Sequence, residues 1–263
     1  MNIWDTFIIT PMINVLLTIY NYIGSFGIAI ILFTILIRLV THPLMVKQIK
    51  SAQAMQSLTQ DKRYKDMQVK YKGQKEKLAQ AQMELYKEMG VSPFASCLPT
   101  IIQLPIIIGL YQSLTRAMAS TPAEMLYLKQ HIYPGFLNIS TLIPLNNHFL
   151  WMDLAQPERL FLPFIAFGIP VMAVIVVITS YMQTKLTMPP ADPGNQSAMM
   201  TNMMNIYMPL LMGYLAYTLS SGLALYFVVS NVIGILQYAM LGRVNWKNLL
   251  PGQKPAAPGN KGR

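Results

Sequence analysis

An all-α polytopic membrane protein is the fold class this sequence predicts, and three observations carry that reading. Hydrophobic residues make up 53% of the 263-residue chain. Charged residues make up only 11%, against roughly 25% in soluble domains. The apolar residues fall in several long runs that contain many Pro and Gly, a habit of membrane helices more than of soluble ones. Five transmembrane helices are expected, N-terminus outside and C-terminus inside, with an N-terminal interfacial amphipathic helix and a cytoplasmic helical hairpin.

Residues 1–21 carry no basic n-region, their only charge being Asp5, and no small-x-small cleavage site follows. They are therefore not read as a secretory signal. Asn2, Asp5, Thr6, Thr10, Asn14, Thr18 and Asn21 recur every three or four positions. Trp4, Phe7, Ile8, Val15 and Ile19 fall largely on the other side. That pattern suits a helix lying in the membrane interface, bent at Pro11. A sixth span is the competing reading, and the polar stripe is against it.

The first span is placed at 22–43. Within it, Tyr22–His42 holds one charge, Arg38, with the hydroxyl of Thr34 four residues earlier and so on the same helix face. A guanidinium in hydrocarbon costs about 2.5–3.5 kcal/mol on insertion scales. Two readings stay open. Arg38 either lines a wet groove inside a helix bundle, or it snorkels toward the hydrophilic end of the helix, about 6 Å of rise away.

Pro43 ends the clean hydrophobic run, and the chain becomes hydrophilic. Residues 44–97 then hold ten Lys/Arg against five Asp/Glu, whereas residues 1–21 hold no Lys or Arg. The positive-inside rule puts this segment in the cytoplasm. Ala52, Met55, Leu58, Tyr64, Met67, Val69 and Tyr71 form one helical stripe, broken by Gly73. Leu78, Ala81, Leu85 and Met89 form a second, stopped by Gly90 with Pro93 behind it. The result is an antiparallel hairpin with its tip near Lys72–Gln74 and alternating charges on its outer faces.

The second span, 98–118, is expected to be broken by Pro99 and Pro105 and contains Gln103 and Gln112, which either bond between helices or line a polar cavity. Residues 119–159 form an external loop. In it, the aromatic run His148–Leu154 suits an interfacial segment with Phe149 and Trp151 at headgroup level. The third span is 160–181, with Pro163 and Pro170, and a Pro- and Met-rich cytoplasmic loop follows at 182–202. The fourth and fifth spans, 203–219 and 223–241, are separated by Ser220-Ser221-Gly222, a turn so tight that it implies an antiparallel hairpin. The tail, 242–263, has five basic residues and no acids and is rich in Pro and Gly. It is read as disordered and inside.

Several function classes lose support at this point. No Gly-x-x-x-x-Gly-Lys-Ser/Thr loop is present. No catalytic triad, metal motif or paired carboxylate appears in the spans, and no internal repeat of the transporter kind is seen. The one cysteine, Cys97, cannot form an intramolecular disulfide, and the three histidines are far apart in sequence. No enzyme, no cofactor and no small-molecule substrate is expected. A small-solute transporter and a membrane protein folding or assembly factor without insertion activity remain the alternatives to the reading below.

Four stretches, in order, resemble the YidC/Oxa/Alb family of membrane protein insertases: Thr34–Leu44, Glu84–Leu114, Phe149–Pro157 and Ser221–Gln237. The resemblance covers about residues 20–241, and four ordered matches at family-like spacing are specific. It implies an insertase and chaperone of the cell inner (plasma) membrane that works without a nucleotide. It also implies a groove open to cytoplasm and lipid but closed toward the outside. Arg38 matches the groove arginine and Thr34 a polar groove position. Gln103, Gln112, Phe227 and Asn231 complete the expected client-binding groove. Phe227 stands where relatives often carry Tyr or Trp, so a polar handle is missing there. The large external domain of some relatives and a lipoprotein-type leader are both expected to be absent. The implied partners are nascent membrane protein clients and the bilayer. Contact of the hairpin and basic tail with a ribosome, and work beside a Sec-type translocon, are left open; the tail bases serve equally as topology determinants and lipid anchors.

Overall fold

Helices dominate the computed structural model, which describes residues 3–71, 73–90, 98–118, 121–133, 135, 145–161, 168–187, 196–242 and 244. The readings of Cys97, Pro93 and Pro163, of nearly all the tail, and of parts of the loops 119–159 and 182–202 lie outside these residues. The chain divides into two compact units, residues 1–38 with 108–263, and residues 39–107.

In the first unit, a π-helical turn, Asp5–Ile9, leads into α1, Thr10–Ile23. Pro11 follows the π-helical turn in one continuous helical run, Ile9 and Thr10 being helical themselves, and offers no N–H to the turn before it. Ile9, Ile13, Leu16 and Leu17 are fully buried, and Thr10 and Asn14 are buried with them. The polar stripe of this helix is thus partly turned into the protein. Asn14 Nδ2 donates to Thr10 O at 2.7 Å and to His131 O at 2.8 Å, and its Oδ1 accepts from Tyr133 N at 3.0 Å. By length and composition Asp5–Ile23 is also able to cross a membrane.

The helix boundary falls just after the expected start of the first span. α1 runs on to Ile23 and ends at Gly24, whose φ of 74° only glycine adopts without strain and whose N–H is bound by Tyr20 O at 2.7 Å. The next helix, α2, is Phe26–Gln60. It continues through Pro43, where the apolar run ends but the helix does not. A membrane helix tolerates the one lost backbone bond where other groups re-satisfy it. For the same reason α5, Leu98–Ala117, is continuous through Pro105, while Pro99 stands in its first turn.

The second unit holds the expected hairpin. After Asp61, whose carboxylate accepts from Arg63 N at 2.8 Å, α3 covers Lys62–Lys70. Gly73, at φ 89°, makes the tip, and α4 covers Lys75–Glu88, followed by Gly90 at φ 63°. Leu58, Tyr64 and Leu85 form the core with Met67 and Tyr86 against them. Val69, placed in the stripe by periodicity, is instead exposed.

Beyond α5, in the first unit, α6 is Pro122–His131, opened by a capping box between Thr121 and Glu124. A small hairpin departs from the all-α expectation: β1, His148–Phe149, pairs antiparallel with β2, Met152–Asp153. Leu150 at its tip has φ 56°. The third helix of the core begins later than expected. Leu160 pairs with Ile169 as a β-bridge, and α7 is Val171–Thr187. Pro170 explains the boundary, because the residue before a proline is driven to extended backbone. α8, Gln196–Thr218, and α9, Ser221–Met240, follow, and both pack against α7. Among the described residues, Asp5–Ile23, Phe26–Ser51 and Ser221–Met240 are long and apolar enough to cross a membrane, and Val171–Thr187 is a shorter apolar helix.

Candidate functional site

Side chains on a helix lean toward its N-terminus. Arg38 on α2 follows that rule. Its Nε donates to Ser230 Oγ at 3.0 Å, and its Nη2 donates to the same oxygen. Ser230 is the tenth residue of the 20-residue α9. The guanidinium is therefore level with the middle of α9 and turned away from the hydrophilic end of α2. Snorkelling requires the opposite direction. Gln237, two turns further along α9, donates to Arg38 O at 3.2 Å. The bond falls just ahead of Pro43, which offers no N–H to the next carbonyl, that of Leu39.

Other residues expected to line the groove make contacts of their own. Thr34 is fully buried, and its hydroxyl donates back to Ile30 O at 2.7 Å, so it presents no polar group to a groove. Phe227 is 4% exposed and sits in the core with its ring centroid 5.8 Å from that of Tyr226. Asn231 ties α9 to α7, donating to Thr179 Oγ1 at 3.1 Å and Ser180 Oγ at 2.8 Å. Gln112 accepts from Trp4 Nε1 at 2.9 Å, which is the interhelical bond rather than the cavity lining. Gln103 is half-buried and belongs to the second unit.

A second polar assembly closes one end of the first unit. Ser221 Oγ donates to Asp153 O at 2.6 Å, Ser221 N to Gln156 O at 2.8 Å and Gly222 N to Leu154 O at 3.2 Å. Carbonyls of the β-hairpin segment thus satisfy amides at the start of α9, which otherwise have no intrahelical acceptor. Glu158, 6% exposed, does the same for α7: it accepts from Met172 N at 3.1 Å and from Trp151 Nε1 at 3.0 Å. Phe149 covers Gly27 of α2 so closely that a Cβ there would lie 2.2 Å from its ring. The aromatic run was expected to face headgroups; Phe149 is used inside the protein instead, while Trp151 is about half exposed. Nearby, Arg116 pairs with Asp5 at 2.9 Å and donates to Tyr127 OH. Burial pushes the Tyr127 phenol above its ordinary value, with Arg116 opposing and the Asp5 charge adding to the rise.

Comparison with known proteins places this arrangement. The family described as 60Kd inner membrane protein matches residues 18–248. The membrane protein insertase YidC 1 of Streptococcus pyogenes serotype M6 is 36% identical over 225 residues, covering 84% of this chain and 68% of its own. The chain belongs to the YidC/Oxa family. The YidC 2 insertase of Listeria innocua is 31% identical over 244 residues, covering 90% of this chain and 71% of its own. An active YidC insertase crystal structure with the first transmembrane domain resolved aligns at a TM-score of 0.54 with 26% identity. That alignment covers 89% of this chain and 46% of the solved one, so the chain spans just under half of that YidC. As a member of this family it is a multi-pass protein of the plasma membrane.

Within the YidC frame, sequence reasoning singled out the arginine and missed what holds it. Ser230 and Gln237 lie seven residues apart in α9 and share a helix face. Both stand in the stretch that carried the family resemblance, and a serine in an apolar run carries little signal by itself. Glu158 was also legible in principle, as an acid just before an apolar helix, where a negative charge suits the N-terminus.

Proposed function

We propose that the chain is a membrane protein insertase and chaperone that moves a client's polar flank past Arg38, in a hydrophilic groove, without nucleotide hydrolysis. The observation that carries this reading is the Arg38 guanidinium, held at mid-height on α9 between helices whose outer faces are apolar. A fixed cation in a low-dielectric setting attracts acidic residues more strongly than it does in water. Polar groups there replace part of the bulk solvation a client flank gives up. Leu32 and Leu36 of α2 and Val232, Leu236 and Met240 of α9 offer exposed apolar surface for the client's hydrophobic segment. Burial of a whole span in lipid supplies several kcal/mol, so the transfer needs no covalent chemistry.

The reading includes five spans, N-terminus outside and C-terminus inside, with residues 1–21 at the interface and the α3–α4 hairpin in the cytoplasm. Its partners are nascent clients and the bilayer, and the basic hairpin and tail suit contact with a ribosome beside a Sec-type channel. Reconstitution in vesicles tests it. Arg38→Ala is expected to slow insertion of single-span clients with acidic external tails about tenfold or more, from the loss of a charge-assisted contact. Arg38→Lys is expected to keep much of the activity. Unchanged insertion by Arg38→Ala at equal protein level would overturn the role of Arg38. Normal folding of preinserted clients with no insertion of new ones would favour an assembly factor instead.

A further inference from the structure

We infer that Ser230 is the positioning residue for the Arg38 guanidinium, setting its height and direction in the membrane part of the fold. The inference rests on the insertase reading above and assigns it a residue. Two donors of the guanidinium, Nε and Nη2, converge on the single hydroxyl oxygen of Ser230. Sharing one acceptor between those two donors defines the orientation of a planar guanidinium as well as its position. Ser230 itself is 3% exposed, so its hydroxyl is anchored in the packed helix and is not a mobile surface group.

The acceptor is neutral, and that matters for function. A carboxylate in this place would hold the arginine equally well but cancel its charge. A hydroxyl orients the cation without itself neutralising the charge. Gln237 adds the complementary restraint at the backbone, since its Nε2 donates to Arg38 O at 3.2 Å. α9 thus grips Arg38 at two heights: the head at Ser230 and the root at Gln237. A free arginine on a helix samples many rotamers, and ordering it costs side-chain entropy. A prepositioned one has met that cost before the client arrives.

The test uses the full chain in vesicles with two single-span clients that differ only in an acidic or a neutral external tail. Ser230→Ala is expected to slow the acidic-tailed client about three- to tenfold and to leave the neutral-tailed client within about twofold. Ser230→Thr, which keeps the hydroxyl, is expected to restore the acidic-tailed rate. In an Arg38→Ala background, Ser230→Ala is expected to add no further loss. Equal slowing of both clients, or failure of Ser230→Thr to restore a folded protein's rate, would mean a packing role and overturn the assignment. A slow Arg38→Ala with a normal Ser230→Ala would overturn it too, while leaving the insertase reading intact. Normal Arg38→Ala insertion would instead strike the reading on which it rests.

Discussion

Arg38 is the residue whose meaning changes most between sequence and structure. In the sequence it is one charge near the end of an apolar run, and a long side chain in that place can turn either way. The lean of helical side chains and the position of Ser230 decide the direction. Thr34 makes the opposite point. Its spacing from Arg38 puts it on the same face, yet the face curves into the core, and the hydroxyl closes on its own helix. Periodicity assigns a face; it does not say which part of that face a neighbouring helix covers. Glu158 allows a prediction at this scale. Its carboxylate is the acceptor for the Met172 amide and the Trp151 indole in a buried place. Glu158→Ala strands both donors and is expected to lower stability by about 2–4 kcal/mol. Glu158→Gln keeps one acceptor oxygen and is expected to lose about half as much. Thermal unfolding in detergent, with Trp151 fluorescence as the probe, checks both.

At the scale of elements, helix existence was legible and helix ends were less so. Pro43 ends the apolar run but not the helix, because a membrane helix can tolerate the missing bond. The start of α7 was misjudged for the converse reason: hydrophobicity continues through Leu160–Ile169, but the backbone before Pro170 is extended. Packing was legible in the hairpin, whose stripes named Leu58, Tyr64 and Leu85, but not between the apolar helices. Gly213 of α8 meets α7 so closely that an added Cβ would lie 2.2 Å from Val177 Cγ2. Valine is branched at Cβ and has little freedom to move aside. Gly213→Ala gains about 1 kcal/mol of helix propensity but costs up to about 3 kcal/mol in overpacking. Overpacking is expected to win, with a net loss of about 1–2 kcal/mol, read as a lower unfolding midpoint.

The whole molecule comprises two units with different kinds of core, and pH is expected to act on them differently. In the hairpin unit, burial and then the neighbouring Tyr64 push the Tyr86 phenol up to about 12, from an ordinary value of 10.0. The folded hairpin therefore holds this proton more tightly than the unfolded chain does. Its contribution is fully present below pH 10 and is lost as pH rises toward about 12. Tyrosinate absorbance should show a late-titrating phenol that vanishes in Tyr86→Phe. Alkaline unfolding of the hairpin should begin later in that variant, and a titration unchanged by Tyr86→Phe would refute the assignment. The first unit gains its order from another source: residues 146–158 touch α1, α2, α7 and α9 at one end, from Tyr20 OH accepting Asn146 N at 2.9 Å to Glu158 on Met172.

By itself the sequence determined the membrane class, the helical content, the hairpin with its glycine tip, the family and the one arginine worth attention. Each of these depends on composition, on a local period or on a residue whose backbone preference acts within a turn. Only the tertiary structure decided where Arg38 points, that Ser230 and Gln237 hold it, that Thr34 and Phe227 are core, and that a short aromatic hairpin binds the helix ends. Those outcomes depend on which side chains, distant along the chain, come within about 3 Å of one another. A one-dimensional pattern carries no record of that distance.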